Sequence, residues 1–306
     1  MADDSADLAR AIRELVTDTI GRSSFNCLDL LDGSPVADEP LVGFADGYDP
    51  LVHRFKTAVG PGHRTPLEAW QEAFPRKEPP AALGVIAFVL PFSEAIRRSN
   101  RGRVEPSPHW VQGKAYSEAM LNEVRHGLVA WLGERGYRAV APTKTPAFRI
   151  DYDSPRGPVS NWSERHYCYA AGLGTFGLSR GLITQKGVAM RCGSVVADVS
   201  LPPSPRPPSH TAHCPFLEGG GCGDCIARCP AGAITHEGKD NVVCRRYMND
   251  VLEPLARRHM PEEAMLRTQA GTMANIAACG LCQTDVPCED GVPPAPLFQA
   301  GGSETP

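Results

Sequence analysis

The sequence predicts an α+β protein in two parts. A mixed α/β core is expected over residues 1–201 and a smaller cysteine-rich domain over 210–290, joined by a proline-rich linker at 202–209 and followed by a flexible tail at 291–306. Three observations predict this: two long stretches carry apolar residues at helical spacing, a continuous apolar run is stopped by proline, and eight of the eleven cysteines crowd between Cys214 and Cys288.

The first helix follows from Leu8, Ile12, Leu15, Val16 and Ile20, which recur on one face, with Ser5 as the expected cap and Gly21 as the stop. From there to about Pro80, Gly, Pro and Asp separate short pieces, and Thr65 to Phe74 is the helix expected among them. Leu83 to Leu90, stopped by Pro91, suits a strand covered on both faces. A helix over Lys114 to Gly136 carries Leu121, Val124, Leu128 and Trp131 at helical spacing, and Tyr137 to Ala141 reads as a short strand. Strand, helix, strand is the rhythm of a mixed α/β layer. A loop at 142–161 then leads to a helix that Ser163 would cap, with Glu164 complementing its dipole and Gly172 ending it in the left-handed conformation. Gly174, Gly177, Gly181, Gly187 and Gly193 follow, a density that suits ordinary turns or a backbone pressed close to a large flat group or a phosphate. Cys192 to Leu201 resumes a strand-like pattern, and the prolines of 202–208 form a stiff connector.

The cysteine spacing carries the chemistry. Cys214, Cys222, Cys225 and Cys229 run C-x7-C-x2-C-x3-C-P, closing on Pro230, and Cys244, Cys279, Cys282 and Cys288 follow. In bacterial two-cluster ferredoxins a closely spaced run gives three thiolates to one [4Fe–4S] cluster, and the cysteine before proline reaches across to the other. Applied here, the rule assigns Cys214, Cys222, Cys225 and Cys288 to one cluster and Cys229, Cys244, Cys279 and Cys282 to the second. The full expectation is thus a mixed α/β cofactor-binding core followed by a two-cluster ferredoxin-like domain. Two gaps depart from the usual pattern: Pro215 to Gly221 spans seven residues, with three consecutive glycines to fold it back, and five residues separate Cys282 from Cys288. Structural zinc is the alternative for paired C-x2-C elements, and a disulfide scaffold suits a chain of 306 residues poorly. Cys27, Cys168 and Cys192 are expected to be packed thiols.

With 42% apolar residues the chain can bury a core, and a formal net charge of −4 lacks the basic excess of nucleic-acid binders. Nucleic acid is not an expected partner. No apolar run approaches the ~20 residues needed to cross a bilayer, so no membrane association is expected. The N-terminus is acidic and amphipathic instead of carrying a charged segment and an apolar stretch, so a cytoplasmic location is expected, where cubanes and thiols survive.

The AGLGTFG segment at Ala171–Gly177, the Gly193 and Ser194 pair before a strand, the Glu164 and Arg165 pair and the cysteine octet together resemble the epoxyqueuosine reductases and related reductive dehalogenases over about residues 80–290. The resemblance implies a core that binds cobalamin with its lower base detached, and a ferredoxin module fed by a flavodoxin or ferredoxin. It implies that Gly172, Gly174 and Gly177 lie against the corrin and that Arg191, Gly193 and Ser194 line the cofactor or substrate pocket. Three departures stand out. The family's proton-donating aspartate aligns with Pro158, leaving Asp151, Asp153 or Glu164 to serve instead. Eighteen residues follow Cys288, without the helical repeats of the tRNA-modifying enzymes, so a small molecule and not tRNA is the expected substrate. The local motif Trp162 to His166 resembles that of a side branch of the family, whose substrates the sequence does not name.

The first reading is therefore an enzyme that moves electrons through two [4Fe–4S] clusters to a corrinoid and reduces a small organic molecule. Glu164 and His166 are its candidate proton donors and Arg165 its anion-orienting cation, all at one helix start; Tyr167 and Tyr169 are weaker candidates. A dipole partner, a packed ring and a surface ion pair are the plain structural roles for Glu164, His166 and Arg165. A non-catalytic electron carrier or reductive activator of a partner corrinoid enzyme shares the same cysteines, as does an iron–sulfur sensor. The two hundred residues before the cysteines favour the enzyme, since a carrier needs only the ferredoxin part.

Overall fold

The computed structural model describes residues 2–28, 33–252, 254 and 279–294. The expected tail lies outside the described residues from 295 onward. Helix α1 (Ala2–Arg22) carries the expected stripe, with Ala9, Ile12, Val16 and Ile20 buried. Ser5 lies within its first turns, so it does not cap the helix. Two elements fall in the stretch that the sequence leaves open: strand β1 (Leu41–Asp46) and helix α2 (Leu51–Ala58). Helix α3 (Pro66–Ala73) matches the expectation because Thr65 and Glu68 form a capping box, Thr65 Oγ1 accepting from Glu68 N at 3.2 Å and Glu68 Oε2 from Thr65 N at 2.8 Å.

Strand β2 (Gly84–Pro91) is buried at every position, as a run of Val, Ile, Leu and Phe without alternation requires. Helix α4 (Glu94–Asn100) follows, capped by Ser93. Helix α5 (Pro108–Glu134) begins six residues before the expected start at Lys114, because Ser107 accepts from Trp110 N and Pro108 occupies the first turn. Strand β3 (Ala139–Val140), the hairpin β4 (Ile150–Asp151) and β5 (Val159–Ser160), helix α6 (Glu164–Ala170), the hairpin β6 (Gly174–Phe176) and β7 (Leu182–Thr184), and strand β8 (Met190–Ala197) complete this part.

One sheet organises it, in the order β1-β2-β8-β3, with every neighbouring pair antiparallel. The strands flanking α5, β2 and β3, are therefore parallel to one another but separated by β8. Alternation along β2 divides the core: Ile86, Phe88 and Leu90 face α1 and α5, while Val85, Ala87 and Val89 face α2, α3 and α6. The result is a three-layer α/sheet/α sandwich, and α6 and α5 approach β8 from opposite faces.

The cysteine-rich part has helix α7 (Asp224–Ala227), the hairpin β9 (Ile234–Thr235) and β10 (Gly238–Lys239), and helix α8 (Asn241–Tyr247), capped by Asp240. It docks on the end of α4. Arg101 donates to Glu289 at 2.6, 2.9 and 3.1 Å, Asn100 Nδ2 to Thr284 Oγ1 at 3.2 Å, and Arg228 to the carbonyls of Thr284 and Arg103 at 3.1 and 2.9 Å. The β6–β7 hairpin binds the other flank through Phe176 N to His210 O at 2.7 Å and His213 N to Thr175 Oγ1 at 2.8 Å.

Gly280 is the tightest point of this docking. Its φ is +63°, and a Cβ there would lie 1.9 Å from the ring of Trp110. Gly280→Ala combines left-handed strain of ~1–2 kcal/mol with displacement of a buried indole, so a total loss of several kcal/mol is expected in urea unfolding. Because Cys279 and Cys282 flank this residue, the variant is also expected to lose the order of those two thiols.

Candidate functional site

The eight cysteines of the octet gather in two sets. Cys214, Cys222, Cys225 and Cys288 wall one cavity of about 20 Å³, with Leu178, Ile183, Phe216 and Val286 around them. Cys229, Cys244, Cys279 and Cys282 wall a second of about 290 Å³, between the cysteine-rich part and the ends of α5 and β8. These are the crossed sets of the ferredoxin rule. The crossing has a local cause: α7 carries Cys225 and ends at Ala227, Pro230 cannot continue it, and Cys229 is thrown to the other side. The long first gap folds back through Gly219, at φ +84°, with Gly220 N donating to Pro215 O at 2.7 Å. The second gap turns at Asp285, whose φ is +59° and whose N donates to Glu289 at 2.6 Å.

The donor chemistry fits iron–sulfur clusters. Burial, then the neighbouring thiols, pushes Cys225, Cys279 and Cys288 up to about 12. As bare thiolates the groups of each set would repel one another, and a bound iron–sulfur core would relieve that repulsion. Among the described residues no group of three or more His, Cys, Asp or Glu side chains is placed to hold a metal ion. All eleven cysteines are free thiols. Of the three outside the octet, Cys168 is buried and Cys192 half-buried, whereas Cys27 is exposed, a correction to its expected packing that follows from its place in the turn after α1.

A charge network, buried at Arg125, leads away from the larger cavity. Arg191 at its wall donates to Glu118 at 2.7 Å; Arg125, 3% exposed, donates to Glu118 at 2.9 Å, to Asn122 at 2.9 Å and to Glu164 at 3.1 Å. Glu164 also accepts from Thr143 at 3.3 Å and from Ser194, whose hydroxyl in turn receives the Trp162 indole N–H at 3.0 Å. Burial raises the Glu164 carboxyl against the pull of Arg125, while at Glu118 the two arginines outweigh burial and hold it at about 2. Lys114, on the cavity wall, is lowered to about 7 by burial and then by Arg191. Gly193 makes the reach of Arg125 possible, since a Cβ there would lie 3.2 Å from the guanidinium and 2.6 Å from Phe88.

The three residues expected to act together at the start of α6 are parted, because successive helix positions project about 100° apart. Glu164 faces the network on β8, and Arg165 turns outward to donate to Arg180 O at 2.6 Å. His166 lies among Phe176 at 4.8 Å, Phe55 at 5.1 Å and His63 at 6.3 Å. Ser163 occupies the cap position without capping: its hydroxyl bonds His166 Nδ1 at 2.8 Å. Tyr167 donates to Arg64 O at 2.6 Å and stacks on Trp162 at 3.8 Å, and Tyr169 packs on Phe176. Asp151 and Asp153 sit exposed on the β4–β5 hairpin, where Tyr152 lies beneath Arg245 of α8.

Gly172 ends α6 at φ +73°, as expected, and a Cβ there would lie 2.3 Å from Pro205 O. At Gly174 it would meet Ile183 O at 2.5 Å, and at Gly177 the Ile183 side chain at 3.0 Å and Cys214 Sγ at 3.9 Å. The open face of each glycine is thus filled by the chain itself. Ser194 is fully buried, so of the residues implied for the cofactor pocket Arg191 alone, among those described, walls the larger cavity. At Gly172, Gly174 and Gly177 the chain itself fills the face that a corrin would need. Sequence reasoning missed Lys114, Glu118 and Arg125, although their spacing of four and seven residues marks a charged stripe on the otherwise apolar α5.

His63 is 1% exposed and accepts from Ser163 N at 3.0 Å. Burial first, then nearby cations, pulls its imidazole from 6.5 to about 4. The unfolded chain then takes up the proton first, so stability present above pH 6.5 is lost as the pH falls to about 4, by on the order of 3 kcal/mol. His63→Gln, which keeps the acceptor, is expected to flatten the dependence of the urea midpoint in that window by about one proton, leaving the slope from His166, itself lowered to about 3.

Comparison with solved structures finds the same fold in an epoxyqueuosine reductase crystallised with selenomethionine, at a TM-score of 0.50 and 15% identity over 94% of this chain and 67% of that one. Epoxyqueuosine reductases from Bacillus subtilis and Streptococcus thermophilus align at TM-scores of 0.43 and 0.47, with 15% and 12% identity, over 92% of this chain and 67% and 65% of theirs. No protein-family model matches the chain, and no curated protein matches its sequence. The first likeness shows a shared α+β fold, the one that the sequence resemblance implies.

Proposed function

We propose that the chain is an iron–sulfur oxidoreductase of the epoxyqueuosine reductase fold that passes electrons through two [4Fe–4S] clusters to a small organic substrate. The observation that carries this reading is the division of eight cysteines into two four-thiol cavities. Once bound, the clusters supply single electrons. Everything else is done by side chains of this chain. The eight thiolates hold the clusters, Arg191 and Lys114 set the charge in front of the second set, and Glu118 and Arg125 fix Arg191 and Glu164 in place. Glu164, with its carboxyl raised by burial, can hold a proton beside Ser194. An electron carrier would have no use for a buried network running from one thiol set into the core, and this supports the enzyme over a carrier or activator. A soluble flavodoxin or ferredoxin is the proposed donor, in a reducing compartment such as the cytoplasm; among the described residues no helix is long and apolar enough to cross a membrane.

The corrinoid implied by the sequence resemblance has no seat at Gly172, Gly174 and Gly177, and no step is derived through it. The test is anaerobic purification. About eight irons and eight sulfides per chain are expected, with paramagnetic signals after dithionite. A colourless, silent preparation would overturn the proposal. Titrating the same sample with cobalamin reads the corrinoid separately, since a shift to the base-off spectrum would place it against other residues.

A further inference from the structure

We propose that the larger cysteine-walled cavity is also a binding chamber for a small organic anion with an apolar body, held against the second thiol set. The inference rests on the cluster reading above and names the substrate class. Each cavity has four cysteines, so the same inorganic core would occupy both, yet one measures about 20 Å³ and the other about 290 Å³. The second offers the more open space beside its four thiols.

The walls differ as the volumes do. Among the described residues no charged residue lines the small cavity. The large one is lined by Lys114, Arg191 and Lys239, with no carboxylate lining it among the described residues. Glu118 pairs with Arg191 at 2.7 Å and is shared with Arg125, so one carboxylate answers two guanidiniums. Arg191 Nε is buried without a hydrogen-bond partner among the described residues. Cations crowded in a poorly solvated cavity are stabilised by an anion and not by a neutral molecule of the same shape. Trp110, Phe92 and Tyr247 supply apolar and ring surface beside them, which a bare inorganic anion would leave uncovered.

The experiment titrates the anaerobic holoprotein with benzoate, its neutral isostere benzamide and inorganic sulfate by calorimetry. Benzoate is expected to bind at least about ten-fold more tightly than either of the others. Lys114→Met and Arg191→Gln should each weaken benzoate about ten-fold with iron content unchanged. Glu118 keeps Arg125 in the Arg191 variant, and Lys239→Gln, on β10, is a third variant should either of the others fail to fold. Benzoate should also alter the resonance of one cluster only, an effect that a merely structural role of these cations would not produce. Equal binding of benzoate and benzamide, or variants that bind benzoate as the wild type does, would overturn the inference. Missing iron would instead strike the cluster reading, because the calorimetric comparison reads the chamber with or without it.

Discussion

Replacing Cys225 by serine is expected to halve the iron and sulfide of the anaerobic protein, from about eight atoms of each to about four, and to stop electron transfer to any acceptor. Cys225 shares its cavity with Cys214, Cys222 and Cys288, so removal of one thiolate leaves three to hold a cubane that needs four. The informative companion is Cys229→Ser. It lies four residues away yet walls the other cavity, with Cys244, Cys279 and Cys282. The two variants should lose different paramagnetic signals, and the double variant should lose both. If both single variants removed the same signal, the crossed grouping would be wrong; unchanged iron in either would show that its sulfur is not a ligand. A zinc site would show instead as stoichiometric zinc with no colour in the wild type.

Arg125→Met is expected to destabilise the fold by about 3 kcal/mol or more, seen as a lower urea midpoint with an unchanged slope. The side chain is 3% exposed and holds Glu118 and Glu164 from between them. Methionine fills much of the volume but leaves Glu164, 14% exposed, without its cation. Glu118 is half-exposed and keeps Arg191, so most of the loss belongs to Glu164. Adding Glu164→Gln should therefore restore a large part of the stability, by removing the charge left unpaired. No recovery in the double variant would mean that Arg125 acts through packing and not through its charge. Glu164→Gln by itself should be milder, since Gln can still accept from Ser194.

Much of the frame is legible in the residues. The stripe on α1, the capping box of α3 and the uninterrupted apolar run of β2 each encode their element within a few positions, and the structure places them there. Elements without a local code were missed. Strand β1 has six residues and a glycine, and what makes it a strand is its register against β2, from Leu41 opposite Val89 to Asp46 opposite Gly84. Cys27 was expected inside and lies outside, because nothing in its neighbours says which side of the turn faces the core.

The cysteine spacing by itself pointed to the chemistry proposed here, since C-x2-C-x3-C-P is the run of two-cluster ferredoxins, in which the cysteine before proline crosses to the other cluster, and spacing is a property of the chain. Which side chains surround those centres was decided by the tertiary structure. Lys114, Arg191 and Lys239 are far apart in sequence and meet because α5, β8 and β10 end at the same cavity. Glu164, Arg165 and His166 are adjacent in sequence and separate because a helix turns each to a different face. Gly172, Gly174 and Gly177, implied to lie against a flat cofactor, face Pro205 and Ile183. A glycine records only that something must come close; what comes close depends on how distant segments pack.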